Sequence, residues 1–471
     1  MVDSAKQSDP IVVDSQSDMT FISISDFVAG MSQLAIIGVI ETTGIVEAIH
    51  REIVLRPLGL LNHRYGRLWN KGISGRVYGV VKGITSVVGH GLSLGITQYS
   101  HLTRHLPTQP LPSHLNAAVN VINGVMGDHL VSNHNPLALP MTLYKFDKHL
   151  GLDDKHHLSA QMQIKPMSVS IKRPVRSDSL ANPNSSANSD RLNTTANTTQ
   201  TNRQADPITG RVVILLHGLC MGHINWQPTN PQGLGLAILR ALPEVTLYYV
   251  SYNTGQRIST NGRQFAALLD HLITENPDIS QIDLVGHSMG GLVSRSALYY
   301  GTQAQYEWVE KVGKLITLGT PHHGAVLERI GDFVQQSIAK LPFAGALAKL
   351  GYIRSVGIVD LRHGSVRDED WQLLQSRSVL PDEVRHFTPL PEHISSYFLA
   401  GSLSQAEDES DMSQLLGDGL VNIPSALGEH TPAQTLGVSD THKAVFYEVS
   451  HFALLTDERV LNQTVEWLVK D

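Results

Sequence analysis

Residues 282–300 read IDLVGHSMGGLVSRSALYY. The stretch begins with a short apolar run that is typical of a buried strand, and it ends with apolar residues at helical spacing. The two halves meet in a Gly-x-Ser-x-Gly motif centred on Ser288. A strand that turns this sharply into a helix needs small residues around the serine, and the turn holds the serine hydroxyl at the C-terminal edge of a sheet. We therefore predict that Ser288 is a nucleophile on a nucleophile elbow, which is formed by Gly286, His287, Ser288, Met289 and Gly290.

A second Gly-x-Ser-x-Gly motif is centred on Ser93, between Gly91 and Gly95. The chain contains 39 glycines, so one match of this short pattern can arise by chance. No clear helix begins behind this second copy. We therefore interpret it as structural or accidental.

The chain after Pro207 alternates between strands and helices. Helical segments such as GRQFAALLDHLIT separate short runs that are rich in β-branched and aromatic residues. The runs are RVVILLHG, VTLYYVSYN, IDLVGHS, KLITLGTPHHG, ISSYFLAGS and AVFYEVSH. Apolar strands separated by helices indicate a mostly parallel sheet that is covered on both faces, so the predicted fold class is α/β.

A serine hydroxyl needs a general base, and the base needs an acid that orients it. On a strand–elbow–helix scaffold the chain order is serine, acid, histidine. His451 follows the last predicted strand by two residues, whereas His430 and His442 precede that strand and would lie at the wrong edge of the sheet. His451 is therefore the predicted base.

The acid is expected in the loop after the preceding strand, ISSYFLAGS. Asp418 lies in this loop, between two glycines, and it is the predicted acid. Two alternatives stay open: Asp440, just before the last strand, and Asp360, in a helical insert.

An oxyanion hole needs two backbone N–H groups that point at the developing negative charge. We expect one from Met289, directly after the nucleophile, and one from Leu219, in the loop after RVVILL. Cys220 beside this loop is interpreted as a packing residue. The adjacent pair His322 and His323 is not interpreted as a metal site, because neighbouring side chains diverge and no carboxylate stands at ligand spacing.

Composition excludes several classes of protein. The 471 residues are 41% apolar and 17% charged, which allows a large core and excludes global disorder. A net charge of −7 gives no general attraction to nucleic acid, and a single cysteine excludes an intrachain disulfide. The opening MVDSAKQSDP does not resemble a secretory signal, and the strongest apolar run, residues 27–40, is shorter than a membrane span. We therefore expect a cytoplasmic protein.

The pattern predicts three regions. Residues 1–160 are mainly helical, residues 161–210 contain a strand and a linker rich in Ser, Asn and Thr, and residues 211–471 form the α/β domain. Residues 326–392 within that domain carry an apolar stripe that suits a cap over a pocket. Its members are Ile330, Phe333, Val334, Ile338, Leu341, Phe343 and Leu347.

Two features of the helical region need a partner surface. Three glycines at a spacing of four residues indicate that another backbone packs closely: Gly75, Gly79 and Gly83. Between Arg51 and Lys82, seven Lys and Arg residues stand against one acid, Glu52. We expect the helices to dock on the α/β domain, with peripheral contact to the inner membrane through the basic stretch as the alternative.

Six segments of the chain together resemble one known family. They are HGLCMGHINW, YNTG with ISTNG, VGHSMGGLVSRSA, LGTPHHGA, GDGLVNIPSALG and VSHFALLTD. The chain from about residue 211 onward is thus similar to bacterial lipases and esterases of the α/β-hydrolase fold, which are often grouped with the inositol-deacylase-like, PGAP-type hydrolase domain. Related secreted lipases place a calcium-binding Asp two residues after the catalytic His, where this chain has Ala453.

The resemblance implies a serine esterase or lipase, with an acyl ester or lipid as substrate. Ser288, Asp418 and His451 would be its catalytic residues, with no metal and no cofactor. An acyltransferase with the same residues and a non-catalytic, membrane-associated scaffold are the alternatives.

Overall fold

We describe the fold from a computed structural model of the chain. The residues described are 11–14, 22–55, 76–85, 111–145, 166–171, 208–226, 233–339, 354–376, 386–405 and 416–470. Ser93 and its motif, Gly75 and the Ser/Asn/Thr-rich segment 177–206 lie outside them.

These residues form a single nine-stranded sheet. The strands are β1 (Ile11–Asp14), β2 (Met141–Lys145), β3 (Pro166–Ile171), β4 (Gly210–Leu216), β5 (Thr246–Ser251), β6 (Ile279–His287), β7 (Val312–Leu318), β8 (Ser395–Ser402) and β9 (Lys443–Tyr447). Their order across the sheet is β1-β3-β2-β5-β4-β6-β7-β8-β9. The six strands from β5 to β9 are parallel, and the first three pair antiparallel. The prediction of a mostly parallel α/β sheet is confirmed.

Helices cover both faces of the sheet. They are α1 (Ile24–Leu55), α2 (76–85), α3 (Ser113–Ser132), α4 (Leu234–Ala241), α5 (Ile258–Glu275), α6 (Met289–Gln303), α7 (Leu327–Ala339), α8 (Val356–His363), α9 (Asp368–Ser376), α10 (Ile423–Ala426) and α11 (Glu458–Val469).

Strand β4 shows how the two faces are filled. Val212 and Ile214 belong to one apolar cluster, while Val213 and Leu215 belong to the other. This follows from the two-residue period of a strand, whose side chains alternate between the faces of the sheet. The first cluster contains residues of α1, α3, α5 and α6, and the second contains residues of α4 and α11.

The N-terminal residues belong to this architecture. Strand β2 lies between β3 and β5, and α3 packs into the first cluster. The predicted boundaries at residues 160 and 211 therefore divide strands that share one sheet. The predicted boundaries were placed where the composition of the chain changes. Composition does not show that β2 pairs antiparallel with β5, because the paired segments are more than 100 residues apart.

The predicted close partner of the glycine stripe is not found. A Cβ added to Gly79 or Gly83 would meet no atom within 4 Å, so the described part of α2 has no backbone packed against these residues. Helix α2 instead contacts α1 through Lys82, whose Nζ donates a hydrogen bond to Glu47 at 2.7 Å.

The predicted cap, residues 326–392, contains α7, α8 and α9; Leu341, Phe343 and Leu347 lie outside the described residues. Ile330, Val334 and Ile338 of α7 are buried. Two ion pairs link α8 and α9 to α5 and the residue before it: Asp360 with Arg257, and Asp368 with Arg263. The cap is therefore attached to the sheet's helical layer. No described helix is long and apolar enough to span a bilayer.

Candidate active site

Ser288 occupies the sharp turn that the sequence predicts. It lies directly between β6 and α6 with φ 54° and ψ −122°, a conformation that is rare for a residue with a side chain. The flanking glycines make this turn possible. A Cβ on Gly286 would lie 2.4 Å from the nitrogen of Gly291, and one on Gly290 would lie 2.2 Å from the carbonyl oxygen of Leu216.

His451 and Asp418 meet at the C-terminal edge of the sheet. His451 Nδ1 lies 2.7 Å from Asp418 Oδ2, and both side chains are buried. The other carboxylate oxygen, Oδ1, accepts hydrogen bonds from the backbone N–H groups of Leu420 and Val421 at 2.9 and 2.8 Å. The two loops are also joined directly, since the N–H of His451 donates to the carbonyl oxygen of Asp418. This network fixes both the carboxylate and the imidazole.

The alternative residues lie elsewhere. Asp440 is exposed and pairs with Lys443, and the carboxylate of Asp360 is bound by Arg257. His442 packs its ring on Tyr397, at 4.2 Å between ring centroids. The rings of His430 and His323 pack against each other, at 4.9 Å between ring centroids. Among the described residues, Ser288 and His451 line one pocket and Asp418 pairs with His451, whereas the alternative acids and bases lie outside this group.

The loop after β4 passes very close to Ser288. A Cβ on Gly218 would lie 2.9 Å from Ser288 Cβ, so this approach requires glycine. Leu219 follows and lines the same pocket as Ser288, and Cys220 comes next with φ 60°. In the described part of the chain, neither the N–H of Leu219 nor that of Met289 donates a hydrogen bond. Both predicted donors therefore remain available for a ligand oxygen.

Burial keeps three groups near the elbow uncharged: His217, His287 and Cys220. It lowers the pKa of His217 to about 3 and the pKa of His287 well below its ordinary value, so both imidazoles are neutral at pH 7. Burial also raises the pKa of the Cys220 thiol to about 12, which keeps it protonated and unreactive. His287 has a supporting position, because its Nε2 lies 3.0 Å from the carbonyl oxygen of His451.

An apolar pocket opens over Ser288. Helix α7 forms one wall, and the loops that carry the acid and the base form another. Phe333 of α7 packs against Phe452, at 5.2 Å between ring centroids. The pocket is lined by Leu219, Met221, His287, Ser288, Pro321, Ala325, Ile330, Phe333, Leu361, Leu420, Val421, His451 and Phe452. Such a lining suits a hydrocarbon chain attached to a carbonyl group at Ser288.

The pair His322 and His323 does not form a metal site. His322 stacks on Phe398 and its Nε2 lies 3.1 Å from Thr317 Oγ1, whereas His323 packs beside His430. The described residues contain no group of three or more His, Cys, Asp or Glu side chains that could hold a metal ion.

One part of the site was not predicted from the sequence. Thr254 Oγ1 accepts a hydrogen bond from the N–H of Cys220 at 3.2 Å, and helix α3 packs against the same loop at Gly124. The YNTG segment that contains Thr254 contributed to the resemblance and could have indicated its position. Gly124 carries no local motif, because its importance comes from what it touches.

A comparison of sequences finds one family model that is similar to part of this chain. The family model of the PGAP1-like alpha/beta domain matches residues 207–398. The domain has the α/β-hydrolase fold. The predicted resemblance is thereby confirmed. The residues matched by the family model include Ser288 and the loop after β4. Asp418 and His451 lie after the matched residues.

Solved structures similar to this chain include three hydrolases. They are the mature form of a lipase from Bacillus licheniformis (20% identity, 55% of this chain and 91% of that chain, TM-score 0.35), a thermophilic esterase from Thermogutta terrifontis (17%, 56% and 90%, 0.30) and an esterase from Pyrococcus furiosus (13%, 55% and 80%, 0.31). No curated protein matches the chain in sequence.

Proposed function

We propose that this protein is a serine carboxylic-ester hydrolase of the esterase or lipase type. The observation that carries the proposal is the buried Asp418–His451 pair, at 2.7 Å, in which His451 lines the same apolar pocket as a serine on a strained elbow. An acid that orients a histidine next to a serine is the arrangement that turns a hydroxyl into a nucleophile.

The proposed reaction proceeds through an acyl-enzyme. His451 accepts the proton of Ser288 Oγ as the oxygen attacks the ester carbonyl, and Asp418 stabilises the imidazolium through Nδ1–H. The N–H groups of Leu219 and Met289 bind the oxyanion of the tetrahedral intermediate. His451 then gives its proton to the leaving alcohol. A water molecule, activated by the same histidine, releases the acid and restores Ser288.

The pocket supports an acyl chain as the group recognised. Apart from three polar side chains, His287, Ser288 and His451, its lining residues are all apolar. An acyltransferase would use the same residues with an alcohol in place of water. Analysis of products in the presence of alcohols distinguishes the two reactions. A non-catalytic scaffold would not react in either assay.

The proposal is tested with a fluorophosphonate probe, which reacts only with an activated serine. We expect labelling of the full chain at Ser288, with labelling and hydrolysis of nitrophenyl esters both lost in Ser288→Ala. Ser93→Ala, the change at the second Gly-x-Ser-x-Gly motif, is the matched control and should label normally. Labelling that persists in Ser288→Ala would refute the assignment of the nucleophile.

A further inference from the structure

Helix α2 carries its apolar side on the outside of the molecule. Four large aliphatic side chains of its ten residues are 41–59% exposed: Val77, Val80, Val81 and Ile84. At about 100° of rotation per residue, these four fall within one arc of about 100°. Lys82 lies nearly opposite and donates to Glu47 of α1. Its polar side therefore faces the protein and its apolar side faces outward, the inverse of an ordinary surface helix.

Helix α1 also exposes large apolar side chains. Ile24, Val28 and Val39 are 48–49% exposed and fall within an arc of about 60°. Phe27 and Leu34, on another side of the same helix, are buried in the core. Of the twelve large apolar side chains that are exposed in the described residues, seven lie on α1 and α2. Such clustering of exposed apolar side chains is typical of a surface that binds a partner.

Charge identifies the kind of partner. The stretch 51–82, which runs from the end of α1 into α2, has seven Lys and Arg residues and one acid, although the whole chain has a net charge of −7. Two features hold a peripheral protein on an anionic bilayer: an exposed apolar helix face and basic residues beside it. A second copy of this chain is a poorer partner, because a twofold contact would bring the two basic stretches together.

We infer that α1 and α2 hold the protein on an anionic lipid surface. Helix α2 lies in the plane of the interface, with its four exposed aliphatic side chains among the acyl chains and the exposed Arg76 at the headgroups. No described helix is long and apolar enough to cross the bilayer, and the inferred contact is with its surface. The inference goes beyond the proposed function and does not depend on it.

The test is co-sedimentation of the full chain with vesicles of ether-linked phospholipids. Such lipids have no carboxylic ester, so binding is measured separately from hydrolysis. We expect binding to vesicles that contain phosphatidylglycerol, weaker binding at high salt, and little binding to pure phosphatidylcholine. The double variant Val77→Glu/Val80→Glu should bind about tenfold more weakly or worse, since it removes apolar burial and adds two negative charges.

The matched control is Val469→Glu, at an equally exposed valine near the end of α11, which should bind like the unchanged protein. Val77→Ser/Val80→Ser removes apolar surface without adding charge and should also weaken binding. Thermal unfolding of each variant shows whether the fold is kept. Three results would overturn the inference: no binding to anionic vesicles, equal loss in Val469→Glu, or a lipid-free dimer that the α2 variants dissociate.

Discussion

At the scale of single residues, the two oxygens of Asp418 do different work. Oδ2 faces His451 Nδ1, while Oδ1 accepts two backbone N–H groups from the residues that follow. The backbone bonds hold the carboxylate in one orientation, and that orientation fixes the tautomer of the imidazole. In the proposed reaction, hydrogen on Nδ1 leaves the Nε2 atom of His451 to accept the proton of Ser288.

Replacement of Asp418 by Asn should keep the shape of this side chain and abolish its ability to orient His451. The amide would present an N–H group to His451 Nδ1, so the imidazole would carry its hydrogen on Nε2 and could not act as a base. We expect kcat to fall by about 10⁴-fold, with little change in KM. The measurement is steady-state hydrolysis of a nitrophenyl ester.

Asp440→Asn is the control for this change, because Asp440 is exposed and its carboxylate pairs with Lys443. It should leave kcat unaltered. If Asp418→Asn stays active while Asp440→Asn or Asp360→Asn loses activity, another carboxylate is the acid of the reaction.

At the scale of elements, helix α3 supports the loop that carries Leu219. A Cβ on Gly124 would lie 2.3 Å from the Sγ atom of Cys220 and 3.0 Å from its backbone nitrogen. Cys220 is already in a left-handed conformation, and Thr254 binds its N–H from the other side. The loop is therefore confined between α3 and the segment after β5.

Gly124→Ala should displace this loop and with it the N–H group of Leu219. Complete loss of one oxyanion donor lowers kcat by about 10²–10³-fold. Because the donor is displaced and not removed, we expect kcat to fall by at least about tenfold and by no more than about 10³-fold. KM should change little, because the acyl pocket is lined mainly by other elements. The measurement is again ester hydrolysis, with thermal unfolding to follow stability.

Gly38→Ala is the matched control, since a Cβ at this helical position meets nothing within 4 Å. Alanine is a better helix former than glycine, so this variant should be as stable as the unchanged protein or more so, and fully active. The second change Cys220→Gly should partly restore Gly124→Ala, because it removes the clashing sulfur and suits a positive φ. A fully active Gly124→Ala protein would show that α3 does not position the loop.

At the scale of the whole molecule, the N-terminal third completes the sheet. Strand β2 covers the edge of β5, and Leu137, Met141 and Leu143 are almost completely buried in the common core. Removal of these residues would expose apolar surface and an unpaired strand edge.

We therefore expect that a fragment of residues 208–471 does not fold cooperatively by itself. Circular dichroism during heating is the measurement, and the full chain should show a sharp transition where the fragment shows none. As a control, a protease site placed within residues 177–206 should allow cleavage while both pieces stay associated and active. A cooperative transition in the 208–471 fragment would contradict the structural role of β2 and α3.

The sequence by itself determined the parts of this protein that depend on local order. The elbow at Ser288 needs a strand, a helix and small residues at fixed spacing, and all of these are adjacent in the chain. His451 and Asp418 could be placed because each follows a recognisable strand, and parallel strands deliver their C-terminal loops to one edge of the sheet.

Only the tertiary structure decided which distant segments complete the site. The strand MTLYK, residues 141–145, is too short to show a period, and its place beside β5 depends on contacts across more than 100 residues. The glycine pattern at residues 75–83 predicted a close partner that the described helix lacks, whereas Gly124, with no pattern around it, touches the oxyanion loop. A glycine allows another segment to pack closely, but it has no side chain that would specify which segment. The sequence therefore shows where close packing is possible, and only the tertiary structure shows which segment packs there.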